Sequence, residues 1–339
     1  MRTHPILALI LACLVARVAP AAAQQTQNFP LTDPQGLTAS GVTVDTAEFL
    51  NRKAVRLVHA QAGETIVMLP GTADFQDGTI EADVAVKITT PPGVRMPGFL
   101  GIAFRARPDA SSFDLFYLRP GNSTAVDQAM RNHAVQYSAA PGHGWYELRR
   151  NWPWVYESHA DLKLDAWTHV KIEVAGRTAR LYLNNATQPT LIVDGLKGLD
   201  LRGSVGLYGF SGEEAYFSNV RVTRAPPLPV TNGSDAAGTW AVKLATDAGV
   251  YDGALQLRRE GRRVSGTWSG ALGENRPVIG TWRDGYIELS FPGAWPKEAG
   301  GTPGPVVTRL AGWIDGTTGN GRGTIEMRAD GLWTATRKP

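Results

Sequence analysis

Short strands follow one another along most of this chain, and no stretch keeps a helical period for longer than two turns. That feature restricts the fold more than any other. TIEADVAVKI (79–88) alternates, with Ile80, Ala82, Val84 and Val86 on one face and Glu81, Asp83 and Lys87 largely on the other. GFLGIAFRAR (98–107), SFDLFYLRP (112–120), HAVQYSA (133–139), THVKIEVAG (168–176), RTARLYLNN (177–185), GSVGLYGF (203–210) and AYFSNVRVT (215–223) follow, most of them separated by Gly, Pro or Asn. Strands at this spacing without intervening helices predict an all-β sandwich or barrel. The 38 Gly and 10 Trp in 339 residues fit tight turns between strands, and 19% charged with 43% hydrophobic residues is a globular balance.

The run APPLPVTNGSDAAGTW (225–240) breaks this pattern. Its prolines followed by Asn-Gly-Ser read as a linker (225–237) between a first domain of residues 28–224 and a second of residues 238–337. In the second, GTW recurs at 238–240, 266–268 and 280–282, and LWTATR lies at 332–337. ALQLRREGRRVSGTW and PVIGTWRDGYIELSF read as hairpins turning at Glu-Gly and Asp-Gly. Six to eight short antiparallel strands are expected, closed into a small barrel because closure removes exposed edges.

MRTHPILALILACLVARVAPAAAQQ joins a basic start, an apolar run and the small-residue end Ala21-Ala22-Ala23. It reads as a secretory signal peptide (1–23), so a periplasmic or secreted protein is expected. Apolar residues continue past Cys13, which argues against a lipid anchor there. Losing the segment removes the single Cys and takes the formal charge from +3 to +1, since Arg2 and Arg17 go with it. Neither disulfides nor a basic surface for nucleic acid is then expected, and no further run is long enough for a transmembrane helix.

FQDGTIEADVAV (75–86), GFLGIAFRA (98–106), WTHVKIEVAGRTARLYLNN (167–185) and GSVGLYGF with AYFSNVRV (203–222) resemble the concanavalin A-like lectin/glucanase superfamily. The nearest likeness is to laminin-G-like and 3-keto-disaccharide hydrolase domains. The resemblance implies a two-sheet jelly roll over about residues 28–224, a fold that hosts lectins, glycosidases, lyases and adhesion modules alike. The second part resembles lipocalin-like barrels in pattern only. Glucanases of the superfamily carry an E-x-D-x-E strand; here Glu81-Ala-Asp83 is followed by Val84 and Ala85, so the third carboxylate is absent.

The candidate site is FYLRPGNSTAVDQAMRNHAVQY (116–137) and the aromatic segment after it. By alternation Tyr117 and Arg119 share a face of one strand. In the next, Gln136 and Ser138 oppose His133, Val135 and Tyr137. Pairing the two strands would bring one polar row from each together. The loop between them supplies Asn122, Asp127, Gln128 and Arg131, more hydrogen-bonding chemistry than a hairpin needs. Its plain alternative is a surface turn with Asp127 and Arg131 paired four apart. Asp114, Asn122 and Asp127 with a carbonyl are also a candidate Ca²⁺ set. Trp145, Trp152 and Trp154, with Tyr137, offer aromatic plates for sugar C–H faces. WPW cannot sit in a central strand and reads as a rigid rim.

Two chemistries are compatible with these residues. Hydrolysis would pair carboxylates, with Asp127 and Glu157 the pair to test, and His143 and Glu147 nearby. The resemblance to 3-keto-disaccharide hydrolase domains implies instead β-elimination, with His133 as base and Arg119 or a divalent cation steadying the enolate. A non-catalytic glycan-binding or adhesion module is the alternative function, and a purely structural protein the third. In all but the last, the partner is a carbohydrate.

Overall fold

The computed structural model describes residues 25–37, 41–228 and 235–339. The expected signal segment and the centre of the expected linker (229–234) lie outside the described residues.

Fourteen strands come first among these: β1 (Gln25–Phe29), β2 (Val42–Phe49), β3 (Arg52–His59), β4 (Glu64–Met68), β5 (Asp77–Ile88), β6 (Leu100–Ala106), β7 (Phe113–Leu118), β8 (Val135–Ala140), β9 (Glu157–Ser158), β10 (Thr168–Ala175), β11 (Thr178–Leu183), β12 (Leu191–Asp194), β13 (Ser204–Phe210) and β14 (Glu213–Ala225). Two single-turn helices, α1 (Pro120–Ser123) and α2 (Gln128–Arg131), lie between β7 and β8, and α3 (Trp145–Asn151) lies between β8 and β9. One sheet runs β12-β11-β10-β5-β14-β3-β2, with β1 also pairing to β14. The other runs β4-β13-β6-β7-β8-β9. Alternation sends Ile80, Ala82, Val84 and Val86 inward from the first sheet, against Ile102, Phe104, Phe116 and Val135 from the second. The outer face of the second sheet carries its own apolar cluster of Ala103, Phe113, Leu115, Tyr117 and Tyr208.

The barrel is closed by β15 (Gly238–Thr246), β16 (Gly249–Glu260), β17 (Arg263–Gly270), β18 (Gly273–Arg283), β19 (Tyr286–Trp295), β20 (Gly304–Asp315), β21 (Thr318–Ile325) and β22 (Ala329–Arg337), each paired to the next and β22 back to β15. The fold is thus all-β, a sandwich and a small antiparallel barrel. Trp240, Trp268, Phe291 and Trp333 are buried in the barrel core. The β18–β19 turn has positive φ at both Asp284 (51°) and Gly285 (93°), the primed geometry that an Asp-Gly pair serves.

That turn also joins the two halves. Arg177 reaches Asp284 Oδ2 through Nε (2.9 Å) and Nη2 (2.8 Å). Arg283 Nη1 donates to the Lys197 carbonyl at 2.9 Å, and Trp313 Nε1 donates to Asp194 Oδ1 at 3.2 Å. At the centre, fully buried Lys197 ion-pairs with Glu288 of β19, and the rings of Tyr286, Tyr156 and Trp152 stand 5.1, 5.4 and 6.0 Å from its ammonium. Position 195 must be glycine for this packing: φ is +79° and a Cβ would fall 2.0 Å from the Tyr286 ring.

Two stability measurements follow from this framework. Glu288→Ala leaves the Lys197 ammonium buried without a counter-charge, and urea unfolding should register a loss of about 3–5 kcal/mol. The double change Lys197→Met with Glu288→Leu should lose less than half of that. Equal losses would show that the charge pair is not what Glu288 supplies. Separately, Glu213 is pushed up to about 8 by burial, from an ordinary 4.5. One of its oxygens accepts from Phe99 N–H at 2.7 Å, and the other is buried without a partner. Its folded value is raised, so its contribution is complete below about pH 4.5 and is lost as pH rises towards about 8. Glu213→Gln should flatten the fall in unfolding midpoint between pH 5 and 8. An unchanged slope would contradict a buried neutral carboxyl.

Candidate functional site

The register of β7 on β8 sets Tyr117 opposite Gln136, and that of β8 on β9 sets Gln136 opposite Glu157. The three therefore share the outer face of the second sheet, so the polar row that meets Tyr117 is the one carrying Gln136. Arg119 continues the same row just beyond β7. Its Nη2 donates to Gln136 Oε1 at 2.9 Å and lies 3.4 Å from Glu157 Oε2. Its guanidinium stands 5.3 Å from the centre of the Tyr117 ring.

Glu157 is the hub. Its side chain is 2% exposed, and three cationic or protonatable groups face it. Arg149 of α3 grips both oxygens, Nε to Oε1 at 2.8 Å and Nη2 to Oε2 at 2.7 Å. His133 Nδ1 lies 2.7 Å from Oε2, a close approach that does not have hydrogen-bond geometry, so this buried nitrogen has no hydrogen-bond partner among the described residues. A forked guanidinium matches a carboxylate in this way, which fixes the carboxylate plane and hence the groups on its other edge. The Asn122 side chain fixes the His133 backbone, donating to its carbonyl at 3.0 Å while accepting from Arg95 at 2.7 Å. Trp154 lies parallel to the imidazole, with ring centroids 6.2 Å apart.

Burial is the largest influence on His133 and holds it below the ordinary imidazole value. Glu157 acts in the opposite direction, and the two arginines act with burial. The ring is therefore neutral at pH 7. With Nδ1 turned to Glu157, Nε2 is the nitrogen left for a ligand. Burial also lowers the Arg119 guanidinium and pushes the Tyr117 phenol up to about 12. Arg119 Nε is buried and has no partner among the described residues.

Several expected site residues lie elsewhere. Asp127 caps α2, accepting from Ala129 N–H at 2.9 Å, and is exposed. Gln128 donates to Asn132 Oδ1 at 2.8 Å on the same surface turn, and Arg131 is on it too. None of the three joins the Glu157 cluster: the capped helical turn leaves Asp127 and Gln128 exposed, and Arg131 is half-buried beside it, its Nε buried without a partner among the described residues. Tyr137 is in the sandwich core, 0% exposed, on the face opposite Gln136. Its hydroxyl donates to Asp114 Oδ1 at 2.5 Å and accepts from Lys197 N–H at 2.6 Å. Trp145 is on the exposed side of α3, its ring 4.9 Å from the Arg149 guanidinium, while Trp152 is buried and Trp154 exposed. His143 and Glu147 face barrel strands β18–β20 and line a cavity there with Arg283 and Glu288.

The candidate Ca²⁺ set does not assemble. Asp114 is wholly buried, raised by burial, and accepts from Tyr137 and Gly198; Asn122 is spent on Arg95 and His133; Asp127 is a cap. These residues do not fit the ion. Among the described residues no group of three or more His, Asp or Glu side chains is placed to hold a metal. The sequence reading missed Arg149, because its bond to Glu157 depends on α3 folding back over β9, which no local pattern announces.

No protein-family model matches the chain, and no curated protein matches it. Solved structures do. The carbohydrate-binding module CBM66 from Bacillus subtilis is 18% identical, covering 55% of this chain and 97% of its own, with a TM-score of 0.36. A Bacillus subtilis protein with a galectin-like fold is 13% identical over 61% and 99% of the two chains, with a TM-score of 0.41. Lectin II from Ulex europaeus is 11% identical over 59% and 98%, with a TM-score of 0.38.

Removing the hub charge tests the electrostatics directly. Glu157→Gln takes away the group that supports imidazolium and leaves the two arginines that oppose it. The His133 midpoint, followed by NMR, should fall further below its wild-type position, with a loss of about 1–3 kcal/mol in stability. A midpoint that rises would contradict the arrangement.

Proposed function

We propose that this is an exported carbohydrate-active protein that binds a sugar at the Glu157-centred site and cleaves a glycosidic linkage there by elimination. The observation that carries this reading is the close approach of His133 to Glu157 beside Arg119, which sets a neutral base next to a fixed cation. Such a pair suits removal of a proton beside a carbonyl. His133 would take the C2 proton of a 3-keto-glycoside while Arg119 stabilises the enolate oxygen at C3. The electron pair then forms the C1–C2 double bond as the C1–O bond breaks, and the imidazolium returns the proton to the departing oxygen. The unpartnered buried Arg119 Nε also fits a site that awaits an acceptor. A two-carboxylate hydrolysis fits less well, because Asp127 is remote from the cluster and Glu157 is already held by three partners. The signal-like segment supports export.

A binding-only reading has its own support. Trp145, Tyr146 and Trp154 are exposed at 48%, 57% and 64% around this site, as stacking platforms for sugars would be.

Mass spectrometry of products from 3-keto-disaccharides and plain oligosaccharides separates the readings. An unsaturated fragment is expected from wild type and should fall at least a hundredfold in His133→Ala while sugar is still retained. The rate should be level from pH 7 upward and fall in acid below the ordinary imidazole range, where His133 gains its proton. Retention of a sugar with no product from any of them would make this a lectin, and neither product nor retention would overturn both readings.

A further inference from the structure

We infer that the cleft between sandwich and barrel is a second sugar subsite, so that the protein takes a glycan of at least two units with one at His133 and the next against the barrel. This rests on the carbohydrate reading above. The cleft is a cavity of about 500 Å³, walled by the 152–156 segment and Asp194 on one side and by β19–β22 of the barrel on the other. That volume suits a small ligand. Its rim holds three exposed apolar side chains, Trp154 (64%), Ile192 (54%) and Leu332 (67%), from both halves of the molecule. Clustered exposed apolar side chains beside a cavity mark a surface meant to be covered.

Trp154 connects this cleft to the Glu157 site. One neighbour is the imidazole of His133, parallel to it at 6.2 Å, and Trp154 also lines the cleft. Its backbone is held at φ +66°, a conformation a bulky side chain rarely adopts. Strain of this kind persists where surrounding structure fixes a side chain in a required position. A chain leaving His133 along the indole face enters the cleft.

The far wall supplies the polar groups. Asn320 and Arg322 of β21 are exposed, line the cleft, and make no ion pair or side-chain hydrogen bond among the described residues. Together with Asp194 they present donors and acceptors of both signs around aromatic rings, which is the chemistry that recognises sugar hydroxyls above an apolar ring face. The barrel would then set the length and identity of the glycan, while the sandwich holds the reacting unit.

Calorimetric titration of the full chain with gluco-, galacto-, manno-, arabino- and fructo-oligosaccharides of one to five units tests this, alongside the surface double variant Asn320→Ala/Arg322→Ala. Wild type should bind the preferred series about tenfold more tightly at two or more units than at one. The double variant should lose that gain and bind the monosaccharide as wild type does. The subsite is overturned if the variant keeps the gain, if its monosaccharide binding falls equally, or if wild type binds the monosaccharide and gains nothing with length. Binding of none of these sugars, and of no 3-keto-disaccharide, by wild type would remove the carbohydrate reading itself, and the subsite with it.

Discussion

A lysine cut off from water ties this molecule together. The Lys197 ammonium has Glu288 as its counter-charge and is otherwise surrounded by aromatic rings. In such a place a charge is tolerated only with its partner, so the barrel strand carrying Glu288 must be docked for the sandwich loop carrying Lys197 to be stable. The same loop is held from the other side. Lys197 N–H donates to the Tyr137 hydroxyl, which donates to Asp114, and Asp114 also accepts from Gly198 N–H. β7, which leads into Arg119, and β8, which carries Gln136, are thereby linked through buried polar bonds to the barrel.

The Glu157 hub works by a related rule at smaller scale. One buried carboxylate takes a forked arginine, a second guanidinium and an imidazole, and each of the three is fixed by the others. Arg149 supplies orientation and is the most exposed of the three, while His133 and Arg119 are nearly buried. A carboxylate already held this tightly acts as a positioning group. In the proposed elimination the proton is therefore moved by His133 and not by this carboxylate.

Much of this was legible in the sequence. Period-two alternation put Ile80, Ala82, Val84 and Val86 on one face, which is the core face, and Tyr117 with Arg119 on one face of their strand, because side-chain direction in a strand is set by parity; which row of the next strand met them waited on the register. Parity also put Tyr137 with Val135 and away from Gln136, so its place in the core follows from the same rule, although an aromatic near a polar row reads as a ligand contact. The Asp-Gly turn and the barrel were legible because turn chemistry is local. Asp127 was not, since an acid before a single helical turn serves equally as a cap or as a site residue until its neighbours are known. Arg149 and the Lys197–Glu288 pair were beyond reach for a different reason: their meaning lies in contacts across 8 and 91 residues.

The most direct test of the account is where a sugar touches the protein. With the histidines observed by ¹H–¹³C NMR and His133 assigned through His133→Gln, the oligosaccharide bound most tightly is titrated in. The account predicts that the His133 ring signal shifts in step with binding while those of His59 and His169, on the other sheet, stay in place. A saturating sugar that leaves His133 unmoved would contradict it.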